Sequence, residues 1–250
     1  MNQPQIKIEE DVGIITLSNP ESHNSLTLKA INRICEAIKD WKKKSVKVII
    51  ITGEGKSFCS GMSINELNKE VLEANSIGKL CNILENFEGP TICALNGGVY
   101  GGAVEIALSC DFRIGHPGIS MFVPAVKLGV HYQAKGLNRS INILGPQITR
   151  RIFLLAENFS GVEMYKIGFV DFMEKDTEQV MSSAKEKAKL LMGNAPLAVI
   201  GMKATIVDLL NGGVFENKVR ERIQRCIDSQ DFNEALEAFK NKRKPVFKGK

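Results

Sequence analysis

Asn96-Gly97-Gly98-Val99-Tyr100-Gly101-Gly102-Ala103-Val104-Glu105 is the stretch on which the fold turns. Residues 90–95 ahead of it read as a short apolar strand. Residues 103–109 behind it read as a short apolar helix carrying one acid, Glu105. A glycine-rich turn that leaves a strand and opens a helix lets a ligand come close to the backbone, and the free N–H groups at the helix start favour negative charge. A second turn of this kind, Lys56-Ser57-Phe58-Cys59-Ser60-Gly61-Met62, follows the buried run Val46-Lys47-Val48-Ile49-Ile50-Ile51-Thr52. Two N–H donors converging from such turns would make an oxyanion hole. Burial beside a ligand would raise the pKa of Glu105 and suit it to general acid/base work. The plain alternative is tight glycine packing, with Glu105 satisfied by a cap or a partner arginine.

Outward from these turns the chain alternates strand, turn and helix. Residues 5–10 and 14–17 read as a hairpin turning at Asp11-Val12-Gly13. Residues 27–43 carry Leu28, Ile31, Ile34, Cys35 and Ile38 at helical spacing, with Ser25 or Thr27 available as cap. Residues 69–87 read as a second helix and 111–114 as a strand. Beyond about Pro146 strand signals fade apart from 169–173, and residues 178–192, 197–210 and 214–240 read as helices. The fold class is therefore α/β, with a helical C-terminal part. No internal repeat is visible.

Composition agrees. The 250 residues are 44% hydrophobic and 24% charged, enough to bury a core without metals or disulfides. The six cysteines form no CxxC pair and the three histidines no zinc spacing, so no metal site and a reducing, cytoplasmic setting are expected. No run of about 18 apolar residues predicts a membrane span, and no secretory leader is evident. The net charge of +5 is concentrated in Trp41-Lys42-Lys43-Lys44 and in the C-terminal lysines and arginine. Such runs are solvated faces or attract phosphates.

Together these segments resemble the enoyl-CoA hydratase/isomerase (crotonase) superfamily. Asn24-Ser25-Leu26 resembles its N-A-L turn, Phe58-Cys59-Ser60-Gly61-Met62 its F-x-x-G-x-D/S loop, and Asn96 through Glu105 its glycine-rich segment, followed by Cys110-Asp111. Leu128-Gly129 fits its L-G turn, and Ser229-Gln230-Asp231-Phe232 through Pro245-Val246-Phe247 its C-terminal signature. The resemblance implies a spiral of ββα units, with residues 1–190 as the core holding an acyl-CoA site. Residues 191–250 are then a helical region for trimerisation and CoA closure, giving a homotrimer or hexamer. It implies an oxyanion hole from the Met62 and Gly102 N–H groups, which stabilises a thioester enolate, and Glu105 as acid/base. Phe58, Ser60, Gly61, Gly101 and Ala125 are expected around the substrate. Coenzyme A is expected as part of the substrate, with no separate cofactor.

One departure matters. Family hydratases use two glutamates, and the second belongs to a P-E-x-x-L-G segment. Here it reads Pro124-Ala125-Val126-Lys127-Leu128-Gly129. A methyl group cannot transfer a proton. Val130-His131-Tyr132-Gln133 then replaces the usual proline-containing loop, so His131 or Tyr132 either assists catalysis or only packs. The expected function is a hydratase-type lyase. A malonyl-type decarboxylase is the alternative, because methylmalonyl-CoA decarboxylase also lacks the second glutamate and carries a tyrosine after L-G-V-P. That enzyme has a histidine where Met62 stands. A non-catalytic CoA- or RNA-binding homologue is the weaker alternative. Nucleic-acid binding is disfavoured because the lysines after Trp41 fall in one short run.

Overall fold

A computed structural model describes residues 3–44, 46–213 and 215–250. Ser45 in the lysine run and Val214, the expected start of the last helix, lie outside the described residues. The strands are β1 (Gln5–Glu9), β2 (Val12–Leu17), β3 (Val48–Gly53), β4 (Ser57–Cys59), β5 (Thr91–Ala94), β6 (Gly98–Tyr100), β7 (Phe112–Gly115), β8 (Ser120–Phe122), β9 (Phe159–Ser160) and β10 (Phe172–Met173). The helices are α1 (Leu28–Lys43), α2 (Lys69–Ala74), α3 (Ser76–Glu85), α4 (Gly102–Leu108), α5 (Ala134–Leu154), α6 (Gly161–Lys166), α7 (Thr177–Met192), α8 (Pro196–Leu210), α9 (Glu216–Ile227) and α10 (Gln230–Lys240).

Two sheets organise the chain. A six-stranded sheet runs β1-β2-β3-β5-β7-β10 and a four-stranded one β4-β6-β8-β9. Pairing is parallel except for β1 with β2 and β8 with β9. Three consecutive strand pairs, β3–β4, β5–β6 and β7–β8, each place their first strand in the large sheet and their second in the small one. The ββα repeat is thus real in three dimensions although no sequence repeat reveals it. Three-residue strands such as Ser57–Cys59 and Gly98–Tyr100 sit inside what reads as glycine-rich turn, too short for a period-2 pattern.

The apolar run of β3 follows from burial on both faces, as expected for a parallel central strand. Val48 and Ile50 pack with Val12, Ile14, Ile92 and Ile114 against Val180, Ala184 and Ala188 of α7. Ile49 and Ile51 face the main core with Ile31, Ile34, Leu80, Leu84 and Val104 of α1, α3 and α4. Thr27 caps α1, its hydroxyl accepting the Ala30 N–H at 3.1 Å. The hairpin turn lies at Glu10 and Asp11, both at positive φ, and Gly13 pairs with Ile8 inside the strand ladder.

Local chemistry divides two expected helices. Asn75 at φ +47° ends α2, and its side chain caps α3 by accepting from Gly78 N, so residues 69–87 form two helices. Ser229 Oγ accepts the Phe232 N–H at 3.1 Å and starts α10 afresh after Ile227. Helix α5, absent from the sequence reading, bends at Gly145-Pro146, and that break hides its periodicity. Helix α7 runs on through residues 190–191 to Met192. Among the described residues no single helix is long and apolar enough to cross a membrane.

Candidate active site

The two glycine turns meet. Gly61 has φ +79°, and a Cβ there would lie 2.6 Å from Gly102 N, so no larger residue permits this approach. Gly101, at φ 55° and ψ −126°, turns β6 into α4. Leu26 N donates to Gly61 O at 2.8 Å and Ser63 N to Leu26 O at 2.8 Å. An extended segment alternates its N–H directions, so the Met62 N–H faces away from Leu26. Gly102 is the first residue of α4, where the N–H has no intrahelical partner. Among the described residues, neither the Met62 nor the Gly102 N–H has a protein acceptor. Two buried amides fix the scaffold beneath. Asn24 Nδ2 donates to Glu54 O and Ser57 O, and Asn96 Nδ2 to Gly55 O and Ser57 O.

A cavity of about 450 Å3 opens over these turns. Ser60, Met62, Gly101, Gly102, Glu105, Ala125, His131 and Tyr132 all line it, so the structure brings together most of the positions singled out in the sequence. Its apolar side is supplied by Ile64, Leu67, Leu72, Ile77, Leu128 and Val130. Phe58 and Gly61 do not line the cavity, and Gly61 lies packed against Gly102 and the Tyr100 carbonyl. The Phe58 ring is fully buried in the core, so this side chain packs beneath the loop and any part Phe58 plays at the substrate is left to its backbone.

Glu105 is 5% exposed, and its carboxylate takes a 2.7 Å bond from Arg139 Nη1. Burial pushes its pKa up, opposed by the Arg139 charge and hydrogen bond. The partner arginine allowed for above is therefore present, yet Glu105 still reaches the cavity wall. Arg139 itself comes from α5, which crosses Glu105 closely at Gly136. A Cβ on Gly136 would stand 2.9 Å from the carboxyl carbon.

The remaining polar groups differ in setting. Tyr132 is half-buried, edge-on to Phe153 at 4.7 Å, and its hydroxyl donates to Gly101 O at 3.1 Å. Burial, with the Glu105 charge second, pushes its pKa up, so it is a neutral donor at ordinary pH. His131 is exposed, and its Nδ1–H donates to the Tyr132 carbonyl at 2.7 Å. Ala125 is buried and brings only a methyl group to the wall. No group of three or more His, Cys, Asp or Glu able to hold a metal occurs among the described residues.

Sequence reading missed Arg139 and its supports on α3, Asn82 and Glu85. The available signal was Gly136 three residues before an arginine, a small residue and a cation one helical turn apart.

Known proteins agree with this architecture. The chain is 32% identical to the short-chain-enoyl-CoA hydratase of Clostridium acetobutylicum, covering 98% of this chain and 97% of that protein. It is 30% identical to the crotonyl-CoA hydratase of Syntrophomonas wolfei, covering 96% and 95%. The crystal structure of an enoyl-CoA hydratase from Bacillus anthracis superposes with a TM-score of 0.90 at 26% identity, covering 100% of both chains. The model of the enoyl-CoA hydratase/isomerase family matches residues 7–250, and this chain belongs to that family.

Proposed function

We propose that this protein is a hydratase-type lyase acting on an enoyl-CoA thioester. The observation that carries the reading is that Glu105 lines the same cavity as Met62 and Gly102, the first residues after two abutting turns. In this reading the thioester oxygen sits between the Met62 and Gly102 N–H groups. Preorganised donors of that kind are worth roughly 100- to 1,000-fold each where charge develops in the transition state. Glu105 moves the proton that accompanies addition of water. Coenzyme A arrives as part of the substrate, and no separate cofactor is assigned. Ser60 and Gly101 shape the floor beneath the thioester, with Gly61 behind them letting the two turns close up, while Ile64, Leu72 and Leu128 supply an apolar wall for the acyl group.

Ala125 with Tyr132 favours one second reading, a malonyl-type acyl-CoA decarboxylase. Only one carboxylate of the hydratase pair is available, and a neutral phenol lines the cavity, its one O–H held on Gly101 O and free to orient a leaving carboxylate only by turning from that carbonyl. A cavity of about 450 Å3 beside Glu105 supports a catalytic reading over a non-catalytic one. We further assign residues 191–250 to assembly as a trimer or a dimer of trimers, and the protein to the cytoplasm. The first assignment rests on the apolar side chains that α8, α9 and α10 expose, among them Met202, Ile223 and Phe239.

A turnover screen with crotonyl-CoA, longer enoyl-CoA esters and methylmalonyl-CoA tests the assignment. Loss of the enoyl absorbance with an enoyl-CoA supports the hydratase. Carbon dioxide release from methylmalonyl-CoA, without hydration of any enoyl ester, replaces it with the decarboxylase.

A further inference from the structure

Arg139 has a setting that goes beyond satisfying an acid. It is 4% exposed, and its guanidinium makes four polar contacts. Nη1 donates to Glu105 Oε1 at 2.7 Å, Nε to Glu85 Oε1 at 3.0 Å, and Nη2 to Glu85 Oε2 at 3.1 Å and Asn82 Oδ1 at 2.6 Å. Lys135 Nζ stands 3.3 Å from Glu85 Oε2. Three helices thus assemble a cluster of two acids and two bases with no net charge. Glu105 Oε2 takes no protein hydrogen bond among the described residues, and it is the oxygen left for the cavity.

The planar fork matters here. A guanidinium offers five donors in fixed directions, so anchoring two edges on α3 sets the direction of the third. Asn82 and Glu85 hold Arg139, and Arg139 then fixes one oxygen of Glu105. We propose that Arg139 is a positioning residue that keeps Glu105 ionised, with Oε1 tied down and Oε2 free, so that Glu105 enters the reaction as a base. This rests on the reading of Glu105 as the acid/base group.

The groups facing Glu105 are Arg139 and Lys135 from α5, Glu85 and Cys81 from α3, and Tyr132 from the loop before α5. Burial drives the carboxyl toward its neutral form, and the adjacent cation is the main opposing influence. Removing the cation therefore raises the pKa of Glu105. Removing the like charge of Glu85 lowers it. A base is active above its pKa, so the acid limb of the rate profile must move in opposite directions in the two variants.

The experiment follows kcat and KM for crotonyl-CoA hydration between about pH 5 and 9, a range that brackets a tuned carboxylic base. Arg139→Gln is expected to move the acid limb of kcat up by about one pH unit or more, with little change in KM. Glu85→Gln moves the limb down or out of the range. Arg139→Lys keeps the charge and the limb, yet lowers kcat roughly 10- to 100-fold because one ammonium cannot span both acids. Arg139 is buried in an ion pair, so Arg139→Gln carries a folding risk. If it does not fold, Glu85→Gln and Arg139→Lys decide by the same criteria. An acid limb that stays at its wild-type position in Arg139→Gln or Glu85→Gln, or a gain at neutral pH in Arg139→Gln, overturns the proposal. Glu105→Gln is the control. If it retains activity, the reading of Glu105 itself fails. If it is inactive while the limbs stay fixed, only the role of Arg139 fails.

Discussion

At the scale of single residues, the chemistry divides between an acid that is present and one that is not. Glutamine at position 105 keeps the shape of the side chain but cannot exchange a proton. Glu105→Gln is expected to lower turnover roughly 100- to 10,000-fold, the usual worth of general acid/base catalysis, while binding of the CoA ester persists. Steady-state rates and equilibrium binding on the same preparation check both halves. Ala125 lines the cavity with Glu105, so Ala125→Glu should restore a second water ligand and raise crotonyl-CoA hydration. In a decarboxylase the same change would repel the substrate carboxylate and lower the rate. Tyr132→Phe separates the two readings further. It removes the 3.1 Å bond to Gly101 O and should depress decarboxylation sharply but hydration little.

At the scale of elements, the site depends on two turns held closer than ordinary residues permit. A methyl at position 61 would lie 2.6 Å from the Gly102 nitrogen, on a backbone already at φ +79°. Gly61→Ala is therefore expected to cost about 1–3 kcal/mol, the range for strained backbone conformations, and to spread Met62 from Gly102. Chemical denaturation measures the first effect, and a fall in kcat beyond any loss of folded protein measures the second. A normal kcat with full stability would show that the turns do not need this approach. The C-terminal tail is clamped by a different device. Asp231 accepts from Lys248 N and Gly249 N at 2.7 Å each, and Glu234 pairs with Arg243. That pair, with the Val246 N–H second, holds the Glu234 carboxyl down at about 2. A depressed acid stabilises the folded state above its unfolded pKa and loses that contribution as pH falls toward the folded value. The tail should therefore loosen between about pH 4.5 and 2, seen as faster amide exchange at residues 243–249. Glu234→Gln should abolish that pH dependence.

At the scale of the whole molecule, the C-terminal helices expose side chains that a lone chain has no reason to expose. Phe239 is 86% accessible and Phe215 73%, and Ile206, Ile223, Ile227 and Leu236 are also exposed. Large apolar patches on a folded surface mark association sites. Sedimentation at micromolar concentration should give a mass of three or six chains, and a stable monomer would refute the assembly. Binding should register globally as well. A CoA thioester present at about a hundred times its Kd stabilises the native state by about 2.7 kcal/mol. The melting temperature should rise accordingly, and an absence of any shift at millimolar ester would count against an acyl-CoA site.

Sequence alone determined the alternation of buried strands and helices. The run of β3 can only be a strand covered on both faces, and Leu28 through Ile38 can only bury one face of a helix. It also marked Gly61, Gly101, Gly102 and Glu105, because close backbone approach and a lone acid among apolar residues leave a local trace. Sequence left no trace of the short strands β4 and β6, whose three residues owe their pairing to the neighbouring strand and not to pattern. Nor did it reveal α5, broken at Gly145-Pro146. Most of all, only the tertiary structure decided what surrounds Glu105. Arg139 lies 34 residues away and Glu85 another 20 in the opposite direction along the chain, so no local spacing joins them. Their meeting is set by α3, α4 and α5 packing together, which Gly136 allows. Charge balance in a buried site belongs to that packing, because the dielectric and the partners exist only once the helices have closed.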